Sequence, residues 1–507
     1  MTPPKPRLRV TARADGTVLG VRPAPPATAG ARSYKAARPD RLAPFLMGDL
    51  APASVLARDL PGLIAHARDA ARNNDYVRGY LGLVRRHVVG PKGPALQSLV
   101  EHFDGRADDL PRRIIEREWT AWGAWGQPTL CGRLSLRDLE QMAVITAAAE
   151  GNFLARFVRG RRGGAWGFKV QVLSIDHLDL GHNADRLRGG GYVRNGVECD
   201  ADDRVVAYHL FAAPRGDAEA HHRRGVRERV PADQVLHLYL PEEPLQTIGR
   251  PWLHTALRRL NMVDKLEEAA LAAARYGAAK MIFFKRPEDD GPTPAGDHAS
   301  PVEEVEAGET GVLPPGWDIA PFDPTYPSTA LDGFVAGMLR GSAVGARVSY
   351  SALTNDLKGA SFSSLRAGLS EERDEWRTLQ AWFHAAFMGR LFAAWLPMAM
   401  AAGRLAPLRD DDMARYARHT WRGRGWQSIT PREEAQTAET LLANRLAAPS
   451  DLAAERGYDF EELVERYAAD VETLRAAGLS LPVASGGPQP DAGGVADEQP
   501  PPGGAGQ

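Results

Sequence analysis

Apolar side chains recur every three or four residues over much of the chain, which is the spacing of one helix face. Repeats of this kind predict helices at residues 53–89, 109–122, 136–149, 251–280, 331–341, 364–395 and 432–477. The first predicted helix stops at a Gly-Pro pair, the fourth begins with Pro251, and the last is broken near Pro449. The pattern therefore predicts helices in both halves of the chain.

Shorter segments alternate between apolar and polar residues, or are apolar throughout, and are bounded by turn residues. They predict strands at residues 152–159, 169–175, 205–211, 235–240 and 281–284. Helices and strands together place the chain in the α+β class.

Three segments differ in composition from the rest. Residues 1–45 are rich in Pro, Ala, Gly and Arg, and we expect an extended arm there. Residues 481–507 lack apolar bulk and are expected to be disordered. Residues 288–309 carry acidic side chains and prolines with no Lys or Arg between them, which predicts an acidic, loop-rich insertion.

Charge and length narrow the class of protein. The chain has 507 residues, with 62 basic and 64 acidic side chains and a formal net charge of −2. A protein that grips DNA over a large surface carries a basic excess, so tight general DNA binding is disfavoured, while passage of DNA past the protein is compatible with this charge. The length predicts two or more packed units. Cys131 and Cys199 predict two buried thiols in a reducing compartment.

No export signal or membrane span is expected. The first sixteen residues contain charges and prolines without an apolar core. The most apolar stretch, residues 391–402, is shorter than the roughly 20 residues that cross a bilayer, and it contains Pro397. We expect a soluble protein that is made in the cytoplasm and has no membrane partner.

Motifs for catalysis and metal binding are missing from the sequence. It contains no G-x-x-x-x-G-K-[ST] phosphate loop, no H-E-x-x-H, no G-x-S-x-G and no paired Cys/His zinc spacing. The adjacent His221 and His222 cannot share one face of a helix or strand, and arginines follow them. Acidic pairs are common, but nothing in their spacing makes them converge on metal ions. We expect no catalytic residue, no metal and no cofactor.

Two clusters leave alternatives open. One is a set of arginines near aromatic residues, Arg156, Arg159, Arg161 and Arg162. Such a set can stack on bases, but a basic hairpin tip in solvent or at a subunit contact is favoured. The other is a set of aromatic residues predicted to lie in the core or at a subunit interface, Trp376, Trp382, Phe383, Phe387 and Trp395.

Five local sequences carry a family pattern, at residues 68–90, 197–211, 235–260, 349–376 and 430–459. The first contains Arg-Asp, Arg-Asn-Asn and Val-Gly in one predicted helix. The most specific is the fourth, SYSALTNDLKGASFSSLRAGLSEERDEW. In this order the five resemble the lambda-type family of phage portal proteins, over about residues 53–475. We expect local contacts between Arg68 and Arg72 and between Asp69 and Asn73, with a role in the fold or at a subunit interface.

The chain departs from the family pattern at three places. Thr430–Pro431 stands where the family usually has Asp-Pro. Glu150–Gly151–Asn152 stands in place of an acidic Gly-Glu, and Ile248–Gly249–Arg250–Pro251 replaces an Arg-Gly pair. These differences concern local detail rather than family membership.

The resemblance implies a ring subunit with a wing, a stem, an inserted clip and a crown. Its implied parts are an N-terminal arm 1–45, an α/β wing 46–250, a stem helix 251–281, a clip 282–325, a second stem helix 326–345, a tunnel loop 346–363, wing helices 364–430, a helical crown 431–480 and a disordered tail 481–507.

The resemblance also implies function and partners. Portal subunits form a ring, typically twelve-fold, at one capsid vertex of the virion after assembly in the host cytoplasm. The ring is a channel for DNA packaging and ejection, and double-stranded DNA passes without sequence specificity. Implied partners are the terminase large subunit, a head-tail connector or adaptor, and the major capsid or scaffold protein. The residues implied to face DNA are Asn355, Lys358, Ser361 and Ser363. Those implied to form an acidic docking surface are Glu303, Glu304, Glu306 and Glu309.

Other functions remain to be weighed. A packaging enzyme is opposed by the missing phosphate loop. A sequence-specific DNA-binding protein needs a basic domain with a reading helix, and the sequence shows neither. A sequence-independent DNA-binding protein of a phage stays an alternative, and the portal of a gene transfer agent has the same sequence signature.

Overall fold

A computed structural model describes residues 8–12, 18–23, 52–214, 225–278, 282–285, 318–321, 330–358, 361–409, 412–426 and 430–479. The chain divides into two compact units, Met1–Ser54 and Val55–Gln507. In the first unit, β1 (Leu8–Ala12) and β2 (Val18–Pro23) pair as an antiparallel hairpin. The extended arm expected for residues 1–45 did not anticipate this hairpin.

Four helices precede the main sheets: α1 (Pro52–Asn73), α2 (Asp75–Val84), α3 (Asp109–Trp122) and α4 (Leu136–Glu150). The helix predicted at 53–89 is confirmed in position but divided at Asn74, whose side-chain oxygen accepts the Val77 N–H at 3.1 Å and so caps α2. A π-helical segment, Arg85–Val89, follows α2 and ends at Gly90, which has a φ of 76°. Helix α4 begins in a capping box formed by Ser135 and Asp138.

The remaining helices are α5 (Leu257–Ala278), α6 (Ala330–Gly345), α7 (Tyr350–Thr354), α8 (Phe362–Phe383), α9 (Arg390–Ala401), α10 (Met413–Tyr416), α11 (Pro431–Ala443), α12 (Pro449–Glu455) and α13 (Phe460–Ala476). A π-helical segment, His384–Gly389, joins α8 to α9. The predicted break near Pro449 is confirmed, since Pro449 begins α12.

The predicted start of a helix at Pro251 is wrong. The Trp252 N–H donates to the Ala148 carbonyl at 3.0 Å, and turns continue until α5 begins at Leu257. Leu253 and Ala256 are buried in the core. Tertiary contacts with the end of α4 therefore override the local preference of proline for a first helical turn.

The strands are β3 (Ala95–Ser98), β4 (Phe153–Arg159), β5 (Phe168–Leu173), β6 (Tyr192–Arg194), β7 (Val197–Cys199), β8 (Val205–Phe211), β9 (Arg227–Pro231), β10 (Val235–Leu238), β11 (Ile282–Lys285), β12 (Asp318–Pro321) and β13 (His419–Arg422). They form antiparallel sheets in the orders β10-β4-β5, β6-β7-β8-β9, β13-β3 and β11-β12. The mixed α+β class is confirmed, and each predicted strand is found within a few residues of its expected position.

Two hydrophobic clusters hold the second unit together. In the larger, the Trp119 ring lies 5.0 Å from Trp122 and 5.1 Å from Trp395, measured between ring centres. Four of the five predicted core aromatics are almost fully buried, and Trp382 is partly buried. The smaller cluster joins α1 to the β6-β7-β8-β9 sheet. Cys199 is buried, but Cys131 is exposed, so the prediction of two buried thiols is wrong for Cys131.

Candidate functional site

Helices α5 and α6 contact each other, and two glycines on α6 leave room for side chains on α5 and on the segment just before it. A β-carbon at Gly341 would lie 2.0 Å from the Arg259 guanidinium, and one at Gly345 would lie 2.8 Å from the Thr255 hydroxyl. The Tyr76 hydroxyl ties α2 to α5 by donating to Glu267 at 3.0 Å. Burial, with the help of this carboxylate, raises the pKa of Tyr76 to about 12.

The segment after α6 was predicted to be a loop, but it contains the short helix α7. Ser349 caps α7 by accepting the Ala352 N–H at 3.2 Å, and Asn355 ends it in a left-handed conformation with a φ of 60°. The Tyr350 hydroxyl donates to Asp356 at 3.2 Å. Local hydrogen bonds therefore define the conformation of this segment.

Three of the four predicted tunnel residues, Asn355, Lys358 and Ser361, follow α7 along the chain. Asn355 is the last residue of the α7 turn, and the Lys358 N–H donates to the Asp356 carboxylate at 2.9 Å. Lys358 and Ser361 are exposed. Ser363 lies in the first turn of α8, and its side chain is outside the described residues. That these residues face a tunnel stays a prediction.

The four predicted docking acids, Glu303, Glu304, Glu306 and Glu309, lie outside the described residues. The structure does describe the two strands that flank this segment. Strands β11 and β12 pair antiparallel, with Ile282 opposite Pro321 and Lys285 opposite Asp318. The acidic segment between them is therefore closed at its base by a two-stranded sheet, of which only β11 was predicted.

A cavity of about 310 Å³ lies between α2, α8, the end of α6 and the segment before α5. Two arginines in its wall each contact two carboxylates. Arg250 donates to Glu242 at 2.9 Å and to Glu243 at 2.7 Å, and Arg347 donates to Glu242 at 2.8 Å and to Glu375 at 3.5 Å. Because each of these arginines pairs with two carboxylates, the network joins the segments that line the cavity.

The family motif in α1 makes longer-range contacts than expected. Asn73 does donate to Asp69 at 2.7 Å, as the helical spacing predicts. Arg68 instead reaches out of its helix, donating to Glu150 at 2.9 and 2.8 Å and to Asp176 at 3.1 Å. It thereby joins α1 to the end of α4 and to the turn after β5, which supports a role in the fold.

The arginines of β4 and of the turn that follows it are partly neutralised by carboxylates. Arg156 donates to Glu228 at 3.0 and 2.8 Å, and Arg159 donates to Asp233 at 3.2 Å. Arg161 and Arg162 are exposed at the turn. The first two arginines therefore bind neighbouring elements of this chain.

Across the part of the chain that the structure describes, no three His, Cys, Asp or Glu side chains are grouped so that they could hold a metal ion. In the same part, none of the helices is long and apolar enough to cross a membrane. His221 and His222 lie outside the described residues.

Comparison with known proteins identifies the class to which this scaffold belongs, the phage portal proteins. The model of the family described as phage portal protein, lambda family, matches residues 40–380. The chain is 30% identical over 435 residues to the probable portal protein of Halomonas phage phiHAP-1, covering 84% of this chain and 83% of that protein. It is 20% identical to portal protein B of Escherichia phage lambda, covering 82% of this chain and 85% of that protein.

The chain belongs to the lambda family of phage portal proteins. It is a portal protein, a head-tail connector, and the resemblance drawn from its sequence is confirmed. A solved structure described as the neck of an empty gene transfer agent particle computed with C6 symmetry has a TM-score of 0.43 and 14% identity, covering 79% of this chain and 94% of that one. This likeness is too distant to support an argument about assembly.

Proposed function

We propose that this portal subunit assembles into a ring, twelve-fold as is typical of the family, at one capsid vertex. The ring is the channel through which double-stranded DNA is packaged and ejected, and the subunit itself has no enzymatic activity. The observation that carries the proposal is the match of the portal family to residues 40–380. We place the ring in the virion, after assembly in the host cytoplasm and in contact with the major capsid or scaffold protein.

The surface of the two packed stem helices supports a ring. Met262 and Leu271 on α5 are 63% and 56% exposed, and Phe334 and Val344 on α6 are 57% and 79% exposed. Large apolar side chains that remain exposed on both helices are candidates for contact with a protein partner. In a closed ring, each subunit supplies that partner to its neighbour.

The segment from Asn355 to Ser363 is proposed to face the DNA. Its support is the exposure of Lys358 and Ser361 on a locally hydrogen-bonded segment. An amide, an ammonium group and hydroxyls can donate to phosphate oxygens, and such contacts carry no sequence information. This chemistry suits a duplex that slides past.

The acidic segment between β11 and β12 is proposed to bind the terminase large subunit and the head-tail connector or adaptor. Its support is the excess of carboxylates in the sequence and the paired strands that close its base. Carboxylates repel DNA and attract basic patches on protein partners. This segment is therefore suited to docking outside the DNA path.

Mass photometry and negative-stain microscopy of the full-length protein test the ring. We expect particles of about twelve subunits with a central hole. Phe334→Asp places a charge on the stem surface and should prevent ring closure, whereas Leu110→Asp on α3, at a site that is 62% exposed, should not. A monomer or dimer that persists with scaffold protein added, or equal effects of the two variants, contradicts the proposed ring contact.

A further inference from the structure

Arginines from three separate segments converge around one tryptophan. The arginine–tryptophan patch consists of Arg86, Arg373, Arg377, Arg424 and Trp426. The guanidinium carbons of Arg373, Arg377 and Arg424 lie 6.0, 5.6 and 6.0 Å from the centre of the Trp426 ring. Arg86 belongs to the π-helical segment after α2, and its carbonyl accepts a hydrogen bond from Arg424. Residues that are remote in sequence thus form one basic surface.

Aromatic stacking on the buried ring of Trp376 holds the patch in place. The His87 ring stacks on Trp376 at 5.1 Å and on Trp426 at 6.2 Å, and both interplanar angles are 17°. The Trp426 indole N–H donates to His87 Nδ1 at 3.1 Å. Gln380 donates to the carbonyls of His87 and Arg424 at 2.7 and 3.2 Å. The surface is therefore preorganised, and little ordering is needed when a ligand binds.

The patch has an excess of positive charge. Asp374 accepts a hydrogen bond from Arg377 at 2.7 Å, and the negative charge of Glu434 on α11 attracts Arg373. Arg424 is repelled by the positive charges of Arg86 and Arg373.

Burial first, and then these like charges, lower the pKa of Arg424. Burial first, and then the charges of Arg424, Arg86 and Arg373, lower the pKa of His87 to about 4, so this ring is neutral at pH 7. Arginine stays charged at every physiological pH, so the repulsion cannot be relieved by loss of a proton. A bound anion would relieve it.

We propose that the arginine–tryptophan patch binds the phosphodiester backbone of double-stranded DNA, an inference that rests on the proposed function. The planar fork of a guanidinium matches two phosphate oxygens, and contacts of this kind are independent of sequence. The near-neutral charge of the whole chain makes the patch a local, weak and salt-sensitive contact. DNA is the polyanion that the proposed channel carries past each subunit.

The test measures binding of a labelled 30-base-pair duplex to the full-length protein by fluorescence anisotropy, over about 50 to 200 mM salt. The variant is Arg86→Gln/Arg377→Gln, because both side chains are exposed and their loss leaves the stacked core intact. The matched control is Arg106→Gln/Arg113→Gln, which makes the same charge change at side chains that are 85% and 72% exposed.

We expect the patch variant to weaken binding about tenfold or more at low salt and to reduce the slope of log K against log salt by about two. The control should stay within about twofold of the wild type. Equal losses in the two variants, or no loss in the patch variant, overturn the proposal. Poly-L-glutamate at equal charge should displace the duplex far less well than unlabelled duplex does. Equal displacement would assign the patch to acidic protein segments instead.

Ring formation is scored on the same samples by negative-stain microscopy, so that the two proposals fail separately. Wild-type DNA binding by the patch variant in intact rings overturns the patch and leaves the ring standing. A slope difference in protein that forms no rings, even with scaffold protein added, supports the patch and contradicts the ring.

Discussion

Glu140 on α4 shows how burial alone sets the chemistry of a residue. Its side chain is 2% exposed and accepts from Arg137 Nε at 3.1 Å. Burial raises the pKa of this carboxyl to about 8, against the attraction of Arg137. The sequence offers no sign of this, because Glu140 lies within an ordinary amphipathic helix pattern.

Replacing Glu140 by Gln should change how stability depends on pH. Between about pH 4.5 and 8 the folded protein keeps a proton that the unfolded carboxyl has lost, so the wild-type free energy of unfolding falls as pH rises through this window. Gln does not titrate, so the free energy of unfolding of the variant should rise relative to that of the wild type from pH 5 to 8, by on the order of 3 to 4 kcal/mol. Urea denaturation at pH 5, 6.5 and 8 measures this.

Glu465→Gln is the matched control, because its side chain is 68% exposed. It should leave the pH dependence of the free energy of unfolding almost unchanged. Parallel stability curves for Glu140→Gln and the wild type would contradict the prediction.

Arg68→Ala should destabilise the protein by about 1–3 kcal/mol. The change leaves the Glu150 and Asp176 carboxylates, which are 18% and 32% exposed, without the cation between them. The control, Arg58→Ala, removes an exposed ion pair with Asp59 and should have no measurable effect. Urea denaturation of the three proteins compares their free energies of unfolding. Equal values for Arg68→Ala and wild type would contradict a stabilising role of the Arg68 ion pairs.

At the scale of elements, two segments that depart from the family pattern contact each other. A β-carbon at Gly249 would lie 2.0 Å from the Gly151 carbonyl oxygen, and one at Gly151 would lie 2.4 Å from the Arg250 backbone. The Asn152 side chain bonds both the N–H and the carbonyl of Gly249, at 2.7 and 2.9 Å. This close backbone contact joins the end of α4 to the segment that precedes α5.

Gly249→Ala should therefore cost about 3 kcal/mol or more, because the added methyl meets backbone that cannot move aside without breaking the Asn152 contacts. Gly62→Ala on α1 is the control. Its added methyl would meet nothing within 4 Å, so helix propensity should make the change neutral or stabilising. Thermal unfolding compares the two variants. Similar midpoints would show that the close backbone contact between Gly249 and Gly151 does not contribute to stability.

At the scale of the whole molecule, the acidic insertion should be separable from the fold. Because Lys285 lies opposite Asp318, a two-residue Asn-Gly turn can replace residues 286–317 and close the hairpin. We expect this deletion to keep the thermal midpoint and ring assembly, and to abolish binding of the terminase large subunit in a pull-down assay. Loss of folding, or retained binding, would contradict the proposed role of the insertion.

A second variant separates charge from length in the same insertion. Gln replaces each of the four predicted docking acids, Glu303, Glu304, Glu306 and Glu309. If carboxylates carry the docking, this variant should bind terminase at least tenfold more weakly while the insertion keeps its full length.

Local pattern determined much of this protein. Helix α3 and strand β8 lie at the residues that periodicity predicts, because each buries one face whose spacing is visible in the sequence. The family motifs identified the class of protein without any coordinates. Both results rest on residues that are close together in the chain.

Tertiary structure alone decided the rest. The start of α5, the partners of Arg68 and the pairing of β3 with β13 depend on residues far apart in the sequence. Strands of four residues are too short to show a period, and an arginine gives no indication of which carboxylate it will reach. The arginine–tryptophan patch exists only because stacking of His87 between Trp376 and Trp426 brings three distant segments together. Such contacts follow from how the core packs, and a single sequence does not display them.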